Sequence, residues 1–204
     1  MRPHRLVIEA MGPFAGEVVV PFDEVGREGL FLIHGPTGAG KTTLLDGLCY
    51  ALYGEVPGAR TDRGLRSDHA APDATPRVVL EFSAQGGRYR ITREAHHEAP
   101  KRRGTGTTVR TPTAVLERLD RPMPALTKLA EVRDEVVRLV GLSAPQFQQV
   151  ILLPQGRFEQ VLRGRPEHRE ELLAALFPTG GYQAMAAWLQ DEAKTRRGEA
   201  DEAR

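Results

Sequence analysis

This 204-residue sequence predicts an α/β fold, and three adjacent features carry the prediction. Leu30-Phe31-Leu32-Ile33-His34 is a continuous apolar run, as expected for a strand whose sheet is covered by helices on both faces. A glycine-rich loop, residues 35–42, follows it directly. From about Thr42 to Tyr53, Leu44, Leu45, Leu48, Ala51 and Leu52 then recur at helical spacing. Gly54 and Pro57-Gly58 stop that helix.

The remaining elements read in order. Leu6–Ala10 and Glu17–Phe22 are short strands joined by a turn containing Gly12-Pro13 and Gly16. Residues 59–76 are polar and rich in Arg, Asp, Ala and Pro, and read as an irregular connector. Val78–Phe82 and Tyr89–Arg93 flank Gln85-Gly86-Gly87, a hairpin signature. Residues 98–112 read as a basic flexible loop, and Thr113–Leu119 as the strand that returns from it. Leu126–Val140 fits an amphipathic helix that Gly141 ends. Pro166–Phe177 is a further helix with proline at its first position. From Gln183 the chain is helical and mostly polar, and Ala186, Leu189, Ala193, Arg196, Ala200 and Ala203 fall on alternating 3–4 spacing, a short heptad seam with Arg196 off pattern.

Composition removes several classes. Hydrophobic residues are 40% and charged residues 27%, which excludes wholesale disorder. With 28 cations and 27 carboxylates the net charge is +1, so any contact with nucleic acid must come from local patches. A single cysteine, Cys49, allows no internal disulfide. The N-terminus shows no signal-peptide pattern and no apolar run is long enough to span a bilayer, so the expected location is cytoplasmic, without a membrane partner.

The chemistry sits in Gly35-Pro36-Thr37-Gly38-Ala39-Gly40-Lys41-Thr42, a complete GxxxxGK[ST] phosphate-binding motif, or Walker A. Backbone N–H groups at a helix N-terminus form a nest for polyanionic phosphates. Lys41 is expected to reach the β- and γ-phosphates of ATP, Thr42 to ligate Mg²⁺, and Thr43 to lie near the α-phosphate. A Walker B element, an apolar run ending in Asp or Asp-Glu, is missing from the sequence. Val78-Val79-Leu80-Glu81 comes nearest and reads as an ordinary sheet strand. No N-K-x-D base reader and no Ser-His-Asp set is visible. The six histidines lack ligand spacing, and Cys49 reads as a small buried hydrophobe.

The segments around the motif narrow the class. Leu45-Asp46-Gly47-Leu48-Cys49-Tyr50-Ala51-Leu52-Tyr53-Gly54-Glu55, the opening Ile8-Glu9-Ala10-Met11-Gly12-Pro13-Phe14, and residues 65–68, 100–108 and 147–158 resemble the SbcC/Rad50 family in the same order. The resemblance covers essentially the whole chain. It implies the N-terminal lobe of an ABC-type ATPase head over residues 1–178 and the root of a coiled coil over 179–204. It implies Gln155 as the glutamine of the Q-loop, ligating Mg²⁺ and orienting the attacking water. It further implies a C-terminal lobe carrying Walker B and the signature motif, with ATP hydrolysis only when that lobe completes the site. Two heads would dimerise on ATP, beside an SbcD/Mre11-like nuclease subunit acting on DNA double-strand ends in repair and recombination. A nucleoid-associated location goes with that role.

Other readings compete with this one. An SMC-, RecN- or RecF-type chromosome-maintenance ATPase shares the head. A P-loop kinase of small molecules would need an acidic base and an arginine-bearing lid, and a module that binds ATP without turnover needs neither. Lys101, Arg102, Arg103 and Arg110, and the cluster Arg60, Arg63 and Arg66, are candidates for sequence-independent phosphate contacts with DNA.

Overall fold

The computed structural model describes residues 1–57, 64–101, 105–152 and 180–202. The chain divides into two compact units, residues 1–148 and 149–204. The boundary expected at 178/179 and the helix expected at 166–177 lie outside the described residues.

The first unit is built on a five-stranded sheet of β1 (Arg2–Met11), β2 (Phe14–Pro21), β3 (Arg77–Ala84), β4 (Gly87–Glu94) and β7 (Thr113–Arg118). Its strand order is β2-β1-β3-β4-β7, and every neighbouring pair is antiparallel. The β3–β4 reversal is the expected hairpin. Gln85 and Gly86 both take positive φ, +47° and +75°, as a two-residue turn matched to strand twist requires. Along β3 and β4 burial alternates, the period a half-covered strand dictates. Between the strands of that hairpin and β7 runs a second, smaller ribbon, β5 (His97–Pro100) paired with β6 (Thr107–Arg110). The basic loop expected at 98–112 is therefore paired over much of its length.

Among the described residues four helices accompany the sheet: α1 (Phe22–Val25), α2 (Lys41–Tyr53), α3 (Leu129–Val140) and α4 (Ala144–Val150). Helix α2 lies against β1, β3 and β4. Leu6 and Ile8 of β1, Leu80 and Phe82 of β3, Ile91 of β4 and Cys49 and Leu52 of α2 are all fully buried. Gly47 permits the approach, since a Cβ there would stand 2.5 Å from Ile8 Cδ1. Helix α3 buries Val132, Val136 and Leu139 and ends on Gly141, in the left-handed conformation at φ +77°. It begins three residues later than its periodicity suggests, because Leu126 is already exchanging two backbone hydrogen bonds with Leu116.

One expectation is overturned. Residues 30–34 form no strand. Leu30 and Leu32 are 87% and 82% exposed, and Phe31 and Ile33 are also open. A continuous apolar run is buried only when neighbouring strands flank it, and among the described residues none pairs with this one. The connector at 59–76 differs in the other direction. Gly12 N donates to Leu65 O and Ser67 N to Ala10 O, which stitches residues 65–67 to the end of β1.

In the second unit the described part is one helix, α5 (Gly180–Glu202). Met185, Trp188 and Leu189 on it are exposed. No helix among the described residues is long and apolar enough to cross a membrane.

Candidate functional site

The glycine-rich loop ends where α2 begins. Gly40 is the residue before the helix, at φ +92°, and no side chain caps the helix N-terminus. The first turn carries no acidic residue. The free N–H groups of that turn and the positive end of the helix dipole therefore face outward together. Gly38, at φ +87°, curls the loop in a conformation that a Cβ would strain. Pro36, Thr37, Gly38 and Ala39 are exposed, as is Thr42, while Thr43 is buried. Lys41 folds over the loop and donates from Nζ to Gly35 O and Pro36 O, each at 2.8 Å. An ammonium held on two carbonyls at the mouth of an uncapped helix suits a polyanion, which would replace those carbonyls as its partner.

The back of the loop is braced by the β1–β2 turn. A Cβ on Gly40 would stand 2.4 Å from the Phe14 ring and 3.0 Å from Pro13. A Cβ on Gly12 would stand 2.9 Å from Thr43. The sequence signal for this brace is Gly12, a glycine at a close approach that lies outside the loop motif, whereas Gly40 is already required by the motif.

The far end of α2 is tied down by buried polar contacts. Arg93 of β4 donates from Nε to Ala51 O at 2.8 Å and from Nη2 to Leu52 O at 3.0 Å. Burial pulls its pKa down to about 10, so it stays charged at neutral pH. Tyr53 donates its hydroxyl to Leu142 O at 2.9 Å, and its ring meets that of Phe147 of α4 at a tilt of 54° with centroids 5.3 Å apart. Burial pushes the Tyr53 hydroxyl well above its ordinary pKa. Gln148 Nε2 reaches Cys49 Sγ at 3.5 Å, and burial lifts that thiol to about 11. Arg93 was legible only as the third inward position after Tyr89 and Ile91, where a cation breaks the apolar alternation.

The other expected residues scatter. Gln155, Arg60, Arg63, Arg102 and Arg103 lie outside the described residues. Lys101 and Arg110 are exposed at the ends of the β5–β6 ribbon. Arg66 is turned inward instead, donating to Ser67 O at 3.2 Å and to Ala71 O at 2.7 Å. Glu81, the nearest match to a Walker B carboxylate, is held by Arg90 at 2.8 Å and Arg88 at 3.2 Å, which lowers its pKa. A Ser-His-Asp arrangement that linear spacing hides is also present. His4 Nε2 is 2.6 Å from Ser83 Oγ, and its Nδ1 is 2.8 Å from Asp23 Oδ1. Ser83 sits within β3 with Arg2 and Arg88 paired on either side, so strands occupy the space an oxyanion cradle needs. The three residues clamp α1 to the sheet.

Sheet, uncapped helix and loop together define a P-loop ATPase domain with an antiparallel sheet. The chain belongs to the AAA domain family, whose model matches residues 5–198. It is 42% identical over 99% of its length to the SbcC subunit of the nuclease SbcCD of Vibrio cholerae, covering 20% of that protein. It is 35% identical to the SbcC subunits of Lactococcus lactis, over 88% of this chain and 18% of the relative, and of Treponema pallidum, over 91% and 18%. The likeness to the N-terminal lobe of SbcC/Rad50 is thereby borne out. The chain spans about a fifth of the length of these relatives.

Proposed function

We propose that residues 1–204 supply the ATP-binding N-terminal lobe of an SbcC/Rad50-like ATPase acting in DNA repair and recombination. The observation that carries this reading is the uncapped N-terminus of α2 with Lys41 bent over its loop, in a chain similar to SbcC throughout. Gly35, Pro36, Thr37, Gly38, Ala39 and Gly40 form the nest. Lys41 meets the β/γ-phosphates in place of the carbonyls it now bonds. The exposed Thr42 hydroxyl, with Gln155, holds Mg²⁺, and Thr43 lies near the α-phosphate. ATP supplies the phosphoryl group that is hydrolysed. Lys41 and Gln155 are the residues to which catalysis is assigned.

The lobe is half of a site in this reading. Residues 1–178 form the lobe and 179–204 begin the coiled-coil helix. A C-terminal lobe brings Walker B and the signature motif, and two heads pair on ATP. The open apolar run at 30–33 fits this arrangement, because a flanking strand from that lobe would cover it. A nuclease subunit of the SbcD/Mre11 type cuts the DNA end, and Lys101, Arg102, Arg103 and Arg110 contact its phosphates. The cytoplasm, at the nucleoid, is the corresponding location.

Fluorescent-ATP binding and steady-state turnover of the full-length ATPase test the reading. Lys41→Ala removes a charge-assisted contact of about 1.5–3 kcal/mol and should weaken nucleotide binding at least tenfold. Gln155→Ala should keep ATP binding and lose turnover. Wild-type affinity in Lys41→Ala refutes the site, and wild-type turnover in Gln155→Ala refutes the role of the glutamine.

A further inference from the structure

Arg93 is a buried cation with unfinished hydrogen bonding. It is 4% exposed, and no carboxylate among the described residues ion-pairs with it. Nε and Nη2 are spent on the last-turn carbonyls of α2. Nη1 lies beside Gly54, where a Cβ would stand 3.0 Å from it, and donates to no described group. The negative end of a helix dipole balances only about half an elementary charge. A guanidinium offers five N–H donors, so donor capacity remains as well as charge.

Beside Arg93 opens a cavity of about 390 Å³, lined also by Tyr50, Tyr53, Glu55, Leu129 and Arg133. That volume is within the range of small-molecule sites. Arg133 is 61% exposed, and its one described ion pair, with Asp134, is long at 3.7 Å. Glu55 forms no described ion pair with either arginine. Among the lining side chains two cations stand against one carboxylate. Tyr50, Tyr53 and Leu129 give it flat and apolar walls. It lies at the opposite end of the 13-residue α2 from the phosphate loop, about 20 Å along the helix.

We propose that this cavity is a second, independent ligand site, which takes a small organic acid with one carboxylate on a flat ring. The carboxylate meets Arg93 Nη1 and Arg133, and the ring lies among Tyr50, Tyr53 and Leu129. The assignment does not depend on the role of the phosphate loop.

The test is ligand-observed fluorine NMR on the full-length protein with 4-fluorobenzoate as the probe and 4-fluorobenzamide as its neutral counterpart. Binding should broaden the benzoate signal and leave the benzamide signal sharp. Arg93→Lys should weaken binding at least tenfold, because one ammonium cannot serve two helix carbonyls and an anion in this geometry. Arg133→Gln should weaken it severalfold, and Glu55→Gln should tighten it. Should Arg93→Lys fail to fold, the two rim variants decide. Mg-ATP should not displace the probe. Absent broadening, equal broadening of the benzamide, displacement by ATP, or unchanged binding in the rim variants overturns the site. Displacement by inorganic phosphate at a lower concentration than by unlabelled benzoate overturns the carboxylate assignment.

Discussion

Gly40 carries two constraints at once, and they can be separated. Its φ of +92° strains any L-residue, at about 1–3 kcal/mol. Its missing Cβ makes room for the Phe14 ring, and filling that space adds about 1–3 kcal/mol of overpacking. Gly40→Ala should therefore lower stability in urea by about 2–6 kcal/mol. Adding Phe14→Ala should return the overpacking share and leave the backbone share. No recovery in the double variant would show that the ring is not what the glycine accommodates. Cys49 gives a second expectation at this scale. With its thiol raised to about 11, roughly one molecule in a thousand is ionised at pH 8, against one in ten for an ordinary cysteine of pKa 9.0. Ellman's reagent should react at the rate of unfolding, and fast labelling of the native protein would contradict the burial.

Helix α2 owes its placement to contacts at both ends, and the one at its C-terminus can be dissected. Tyr53→Phe keeps the ring on Phe147 and removes the bond to Leu142 O, costing about 0.5–1.5 kcal/mol. Tyr53→Ala removes both and should cost about 3–5 kcal/mol, the range for truncating a large buried ring. Equal losses in urea melts would mean the ring contact contributes nothing. At this scale the sequence was readable wherever local chemistry decides the outcome. Gln85-Gly86-Gly87 announced its hairpin, Gly141 its helix end, and the spacing of Leu44, Leu48 and Leu52 their helix. It was unreadable where a neighbour decides. Thr107–Arg110 has loop composition and becomes a strand because His97–Pro100 pairs with it. Arg66 reads like any solvated arginine until the turn at 67–71 offers it carbonyls. In the site, Lys41 and its glycines were fully legible because the motif is local. The brace by Phe14 and the anchor by Arg93 were not, since each spans dozens of residues.

For the whole molecule the open question is what covers residues 30–33. Leu30 and Leu32 are 87% and 82% exposed and alternate with Phe31, whose ring packs at 6.1 Å from Phe22. The two leucines thus belong to no core among the described residues of 1–148, although apolar runs of this length seldom stay in water. Under the split-head reading they are core residues of an assembly completed by the C-terminal lobe. Leu30→Asp with Leu32→Asp should then leave the melting temperature of residues 1–204 within about 2 °C and make that chain more soluble, since no buried contact is lost. In the full-length protein the same pair should be severe. Two charges would be placed in a sheet interior at a cost of several kcal/mol, and ATP turnover should fall with lobe association. Residues 1–204 alone should hydrolyse ATP negligibly and gain turnover on mixing with the C-terminal lobe. If the double aspartate unfolds the isolated chain, residues 30–33 are part of its own core. If it leaves full-length turnover intact, the C-terminal lobe does not sit there. Robust hydrolysis by residues 1–204 alone, abolished by Lys41→Ala, would remove the need for a second lobe altogether.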